Sequence, residues 1–473
     1  MALRAYRMIA LRACMMIALR AYMSFGPRAA GQVALLIALA PVWTTVAYGG
    51  TNQLFEEFGV GPRDGAMGNA GVALGQDYSA VYYNPAGLAF QKGHHAVFGW
   101  KAMYKELYLE IETTPGHNYA ETYPDAGVLL IALTTDFNFE GRFSSFLTER
   151  FAVGLVLGLG DYLKSFTIYA DPNTPYMYRY SDRNAALLPL FFSASFKLFD
   201  WMSFGMGGAT APSDTYTDVT AKTEIRASDQ SFETNQGILS RTFSKVKPSL
   251  GLLARAPAFG DPTALRFGLV WRDEVSTVDG SGRIRTSTRL VTDSGGTVLE
   301  LPSTDNPLRS LTGFSPMAVT LGAGLALPAD NVQVDVNWRR WSEFRDQTEN
   351  YTDPRFRDRI DARFGYEHVF DPNVEWAESI ALRGGYYFQP TPAPDQSGAL
   401  NILDNDKHVV TTGFGIEYYD PTELVLMPMS LDVAYQLHAL VDRVTENDRD
   451  PDWHRIRTGG QIHQFEFTLS IQF

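Results

Sequence analysis

Few residues of this chain are arranged for covalent chemistry. His94 and His95 are adjacent, but a metal ion needs several converging donors and none is spaced near them, so a pair of histidines at a membrane rim accounts for them. Gly-x-Ser-x-Gly, Walker and EF-hand patterns do not occur. Neither a catalytic residue, a cofactor nor a bound metal is expected. The stretch that does carry defined local chemistry is Asn84-Pro85-Ala86-Gly87. Pro85 has no N–H and restricts Asn84 to extended geometry, which leaves the Asn84 amide able to hydrogen-bond local backbone and hold a turn. Upstream lie Gly65, Met67 and Gly68 within a glycine-rich run, preceded by Phe55 and Phe58 on a short, helix-like stretch. Glycine lets backbones approach closely and adopt positive φ. This is the equipment of a packed, hydrogen-bonded turn, suited to binding or gating rather than to bond making.

The elements that must position this stretch are strands. Val332, Val334, Val336 and Trp338 alternate with Gln333, Asp335, Asn337 and Arg339. Phe98, Trp100, Ala102 and Tyr104 alternate with Gly99, Lys101, Met103 and Lys105, and similar alternation occurs at 265–272 and 430–437. Each such segment puts one face in an apolar medium and the other near water. A soluble sandwich would show the same pattern, so other features must decide.

The ends of the chain supply two of them. Residues 1–22 repeat Ala-Leu-Arg-Ala with a period of eight, either as a duplicated stretch upstream of a start at Met23 or as a long signal n-region. From Met23 the chain reads as a secretory signal, with Arg28, an apolar run at 33–40 and Thr45-Val46-Ala47 at a cleavage site. The expected signal segment is therefore 1–47. Its removal takes five arginines and no acid, so the charge falls from −13 to −18, and Cys14, the only cysteine, goes with it. A basic footprint for nucleic acid is missing. At the other end Phe465, Phe467, Leu469, Ile471 and Phe473 alternate with polar residues, and Phe473 is the last residue of the sequence. Phe473 is expected to serve as an assembly signal for a membrane barrel.

Loop rhythm is the third feature. Strands are expected near 95–111, 126–139, 150–161, 184–199, 201–210, 248–258, 264–275, 315–327, 331–342, 361–370, 377–389, 409–420, 428–440 and 461–473. That is about fourteen, an even number as bacterial membrane barrels require. Short connections near 200, 259–263, 328–330, 371–376 and 421–427 alternate with long ones such as 162–183, 211–247 and 276–314. Short periplasmic turns and long extracellular loops give this rhythm. The expected fold is all-β: a transmembrane antiparallel barrel over 94–473, preceded by an N-terminal hatch at 48–93, in the outer membrane. A linker would be the alternative for 48–93, but Phe55, Phe58, Tyr82 and Tyr83 are unusual in one.

On these residues the chain resembles the FadL-type outer-membrane transporters of long-chain fatty acids, a family that includes TodX-type channels for aromatic hydrocarbons. The resemblance rests on Gly65-Ala66-Met67-Gly68-Asn69-Ala70, on Asp77 through Leu88 with its Asn-Pro-Ala turn, on Asp335-Val336-Asn337-Trp338, on Leu382-Arg383-Gly384-Gly385-Tyr386-Tyr387 and on the terminal Phe473. It runs over most of 52–473. It implies a hatch and gate at Gly65, Met67, Gly68, Asn84, Pro85, Ala86 and Gly87, above which a pocket involves Phe55 and Phe58. It also implies a lateral exit at a kink in the third strand, where Gly158, Gly160 and Asp161 lie; ordinary barrel curvature would also explain those glycines. The implied substrate is a hydrophobic small molecule, most of all a long-chain fatty acid. The implied partners are outer-membrane lipid, lipopolysaccharide and the barrel assembly machinery, with the protein acting as a monomer. An aromatic-hydrocarbon channel, and a non-transporting scaffold barrel similar to the PorV-type shuttle of a secretion system, stay open beside it.

Overall fold

A strand with one apolar and one polar face can satisfy its backbone in lipid only if the sheet closes on itself. The computed structural model describes residues 53–472 except 76, 113–125, 137–149, 162–166, 172–173, 179–189, 227–231, 277–279, 292–296, 301–303, 311–313, 345–350, 396–400, 420–426 and 447–454. Segment 1–47, Phe473 and the side chain of Phe55 lie outside the described residues. Fourteen strands form a closed antiparallel barrel. They are β1 (His94–Glu112), β2 (Ala126–Asp136), β3 (Phe151–Asp161), β4 (Leu190–Phe199), β5 (Met202–Arg226), β6 (Phe232–Ala258) and β7 (Asp261–Arg272). They continue as β8 (Ala318–Ala326), β9 (Asp330–Arg339), β10 (Arg359–Phe370), β11 (Ala377–Gln389), β12 (Lys407–Tyr418), β13 (Met429–Glu446) and β14 (Arg455–Gln472). Each pairs with its successor, and β14 closes on β1 from His95↔Gln472 to Glu112↔Arg455. Each of the fourteen stretches expected from alternation corresponds to one of these strands.

The alternation resolves into an apolar outside and a largely polar inside. Phe98, Trp100, Phe267, Leu321, Val334, Val336, Phe364, Leu382, Val410, Phe465 and Phe467 face outward and are exposed. Their neighbours Lys101, Gln333, Asp335, Arg363, Arg383, Gln464 and Glu466 are buried. That inversion is stable only with lipid around the barrel. At the rim of the short turns, Phe199 stacks on Trp201 at 5.5 Å, and Phe259 and Trp376 are exposed, as in an interfacial aromatic belt. Phe259 and Gly260 both have positive φ in the two-residue turn between β6 and β7, the geometry of a tight hairpin.

Two long loops carry more strand than expected. β5 runs 25 residues and β6 runs 27, far beyond the about ten needed to cross a bilayer. Residues Gly280–Val291 add a parallel strand to the outer part of β5, and Thr304–Ser310 pairs with that strand in turn. The outer stretches lack strong apolar alternation because they lie beyond the membrane, so periodicity could not flag them.

Ahead of β1, the chain forms α1 (Gln53–Phe58), α2 (Pro62–Ala66), α3 (Ala80–Tyr83) and a 3₁₀ turn, Pro85–Phe90. These short elements pack against inward-facing residues of the wall. α1 lies near the rim of the long loops, and Phe90 near that of the short turns, since α1 meets Arg359 and Lys407 at the outer ends of β10 and β12, while Phe90 meets Arg255 near the inner end of β6.

Candidate functional site

The Asn84-Pro85 turn is built as its sequence suggests. Asn84 is extended (φ −150°, ψ 104°) and fully buried, and its side chain accepts from Ala86 N, so it caps the 3₁₀ turn that Pro85 starts. Its Nδ2 donates to Val72 O at 2.8 Å and to Leu252 O of β6 at 3.0 Å. Ser203 of β5 donates to Ala86 O at 2.7 Å, and Arg272 of β7 donates to Tyr83 O at 3.0 Å. At Gly205 of β5 a Cβ would press on Pro85 and on Ala86 N, so the wall is glycine where the turn touches it. Gly87 is buried beside Gly75.

The upstream glycines fit the same wall further round. Gly68 has φ +70° and its N donates to Thr411 Oγ1 of β12 at 2.9 Å, while a Cβ there would collide with Phe364 O of β10. Met67 is buried and lies against Gly365 and Gly385, and Gly65 faces Gln436. Asn69, which the sequence marks only as part of the Gly65–Ala70 motif, donates to Tyr387 at 3.2 Å and Gln436 at 3.1 Å and accepts from Tyr83 at 3.1 Å. Asp335 of β9 accepts from Gly71 N at 2.9 Å and Val72 N at 3.1 Å. Arg63 pairs with Glu367 at 2.9 Å, and Glu367 with Arg383 at 2.6 Å. The alternation had marked Asp335 as inward-facing, but only the fold shows what it holds.

The expected exit is placed differently from the expected gate. The turn 84–87 packs on β5 and β6, whereas Gly158, Gly160 and Asp161 lie toward the long-loop end of β3. The inner segment meets β3 at Gly154 instead, through Val81 and Leu88. Pairing of β3 with β2 runs from Ala152 to Asp161 without a register shift, so the described ladder has no bulge there.

Two carboxyl groups of the inner segment have strongly moved pKa values. Burial would raise Glu56, but Lys247 and Arg339 outweigh it and hold the carboxyl at about 2. Burial, reinforced by Asp77, pushes Asp64 up to about 8, and Ser79 donates to its carboxyl. Among the described residues no group of three or more His, Cys, Asp or Glu could hold a metal ion.

The interior is divided. Around β1–β4 the wall turns Val97, Met103, Leu107, Val128, Leu130, Ala132, Ala152, Val156 and Phe191 into a continuous apolar cluster with Phe58, Val60, Val81 and Leu88 of the inner segment. Around β6–β14 the inward side chains are mostly polar or charged. Among the described residues, Leu440, Ile456 and Ile462 extend the apolar strip past β1 onto β13 and β14.

The chain thus forms a closed barrel of fourteen strands, lipid-facing outside and enclosing a glycine-rich inner segment. No family model matches the chain. Alkane uptake protein A of Marinobacter nauticus is 24% identical over 469 residues, covering 95% of this chain and 97% of that protein. A Pseudomonas aeruginosa FadL homologue matches in structure with TM-score 0.52 at 13% identity, over 86% of this chain and 97% of its own. The toluene transporter TodX of P. putida matches with TM-score 0.50 at 13% identity, over 87% and 97%. The chain has the FadL-type barrel fold. A FadL-type barrel with an apolar outer belt belongs in the outer membrane of a Gram-negative envelope, and the proteins it is similar to include an alkane uptake protein, a FadL homologue and a toluene transporter.

Proposed function

We propose that this FadL-type protein is a channel for the passive entry of hydrophobic molecules, with the inner segment as its hatch. The observation that carries this is the divided interior: an apolar strip on β1–β4 runs beside a buried segment that the opposite wall holds through ions and hydrogen bonds. Such a strip offers an acyl or hydrocarbon chain a route that avoids water. Sixteen methylenes crossing a watery pore would face about 13 kcal/mol of hydration cost. The exit belongs on the same strip, along β3, where the expected exit residues Gly158, Gly160 and Asp161 lie and glycine leaves the strand without side chains to pack. The name of the Marinobacter relative, an alkane uptake protein, agrees with an apolar cargo.

The test is uptake of labelled hydrocarbon or long-chain fatty acid by cells that lack their own transporter and express this chain. The parent should confer uptake. Asn84→Ala and Pro85→Ala should lower it while surface display and heat-modifiable mobility stay normal. A parent that confers no uptake of any apolar compound would favour the scaffold alternative. If both variants and a deletion of 80–88 transport like the parent, the hatch is not the gate.

A further inference from the structure

α1 carries two neighbouring acids, and they reach different parts of the wall. Glu56 meets Lys247 of β6 at 2.9 Å and Arg339 of β9 at 3.3 Å. Glu57, which is buried, meets Lys407 of β12 at 2.6 Å and Arg359 of β10 at 3.6 Å. Gln389 and Tyr387 of β11 add hydrogen bonds to the Glu57 carboxyl at 2.5 Å and to its backbone carbonyl at 3.3 Å. The next residue, Phe58, is part of the apolar cluster of β1–β4. α1 thus stands between the charged arc and the apolar strip. It turns carboxylates to one and an aromatic ring toward the other.

Other cations near this level are also engaged, two of them by acids and Arg272 of β7 by the backbone carbonyls of Tyr82 and Tyr83. Lys101 meets Glu466 at 3.1 Å and donates to Phe58 O and Gly59 O, and Arg363 meets Asp361 at 2.9 Å. A chain lying on the apolar strip therefore finds methyl groups and rings along it, while the nearby cations hold protein carboxylates or, at Arg272, backbone carbonyls. A fatty acid would have to bring its charged head into this buried interior and compete with Glu56 and Glu57 for their partners. A buried charge without a partner is costly, so that competition selects against the acid. An uncharged hydrocarbon meets no such penalty.

We propose that Glu56 and Glu57 make this interior selective for uncharged hydrocarbons, by occupying the cationic positions that a substrate carboxylate would need. They are specificity-determining positions that act through Lys247, Arg339, Arg359 and Lys407. This rests on the transport function proposed above and narrows its substrate class, away from the long-chain fatty acids that the family resemblance implies.

The experiment compares uptake of hexadecane, hexadecanol and hexadecanoate, equal in chain length, by cells expressing the full chain. The parent should take up hexadecane and hexadecanol and roughly tenfold less hexadecanoate. Glu57→Gln removes the α1 carboxylate from Lys407, while Arg359 keeps Asp361 at 3.3 Å, and should raise hexadecanoate uptake roughly tenfold, with hexadecanol unchanged. Glu57→Asp should keep the parent's discrimination, and adding Lys407→Gln to Glu57→Gln should abolish the gain. A purely structural role would change all three substrates together. Heat-modifiable mobility of each variant shows that the barrel has formed. If Glu57→Gln does not fold, Glu56→Gln makes the same test through Lys247 and Arg339. Equal parental uptake of hexadecane and hexadecanoate, or folded variants that gain no hexadecanoate uptake, overturns the selectivity proposal alone. No parental uptake of any of the three overturns the transport function and this proposal with it.

Discussion

Asn84→Ala tests how firmly the inner segment is held. The side chain makes three hydrogen bonds: two donated, to Val72 O and Leu252 O, and one accepted from Ala86 N. Alanine removes all three at a site with no water contact, since Asn84 is 0% exposed. Leu252 lies within the β6 ladder, which remains, so the lasting losses are the partners of Val72 O and Ala86 N. Leaving a buried polar group unsatisfied costs about 1–3 kcal/mol, and two such groups with partial relaxation give about 2–3 kcal/mol. None of that falls on the barrel, because the ladder bonds from β1 to β14 are untouched. Local opening of the turn should therefore become about 30- to 150-fold more frequent while the barrel stays as stable. Amide hydrogen exchange of the detergent-purified protein reads this directly. Peptides covering 78–91 should lose protection by about that factor, and peptides from β9–β12 should not change. Unchanged exchange at 78–91 would refute the reasoning, because the turn would then be held by something other than this side chain. Faster exchange throughout the barrel would refute it differently, by showing that the segment and the wall open as one unit.

Other outcomes follow from the same structure. Gly205→Ala puts a methyl against Pro85 and Ala86 N, and overpacking of that kind costs about 1–3 kcal/mol, so exchange at 85–91 should rise while heat-modifiable mobility persists. Asp64, raised from 3.8 to about 8 by burial and Asp77, binds its proton more tightly when packed; the stability it supports is full below about pH 4 and declines as pH rises toward 8. Glu56, lowered from 4.5 to about 2 by its cations despite burial, has the opposite sign, and its contribution is present above 4.5 and lost as pH falls toward 2. Inner-segment protection relative to Asp64→Asn, corrected for intrinsic exchange, should fall between pH 4 and 8, and a flat difference would contradict the Asp64 assignment. Deleting Phe473 should reduce insertion into the outer membrane, because it closes the alternating apolar face of the last strand; a normal yield of heat-modifiable protein would argue against that role.

The sequence by itself determined the barrel, through strand alternation taken together with the apolar final strand, the signal segment and the short–long loop rhythm. Phe98, Trp100 and Val334 face lipid, and Lys101, Gln333 and Asp335 face in, each by a period of two that needs no partner to be seen. It also marked Asn84 and Pro85, whose local geometry is set by the peptide bond before proline. It could not show the outer halves of β5 and β6, which lie beyond the membrane and carry little alternation. Nor could it assign partners across the interior. Asp335 meets Gly71 and Glu57 meets Lys407 across separations of 264 and 350 residues, and Asn84 reaches Leu252 rather than the β3 glycines. Periodicity fixes which way a side chain points, but what it meets depends on how fourteen strands close and on which strands the inner segment lies against, and only the tertiary structure decides that.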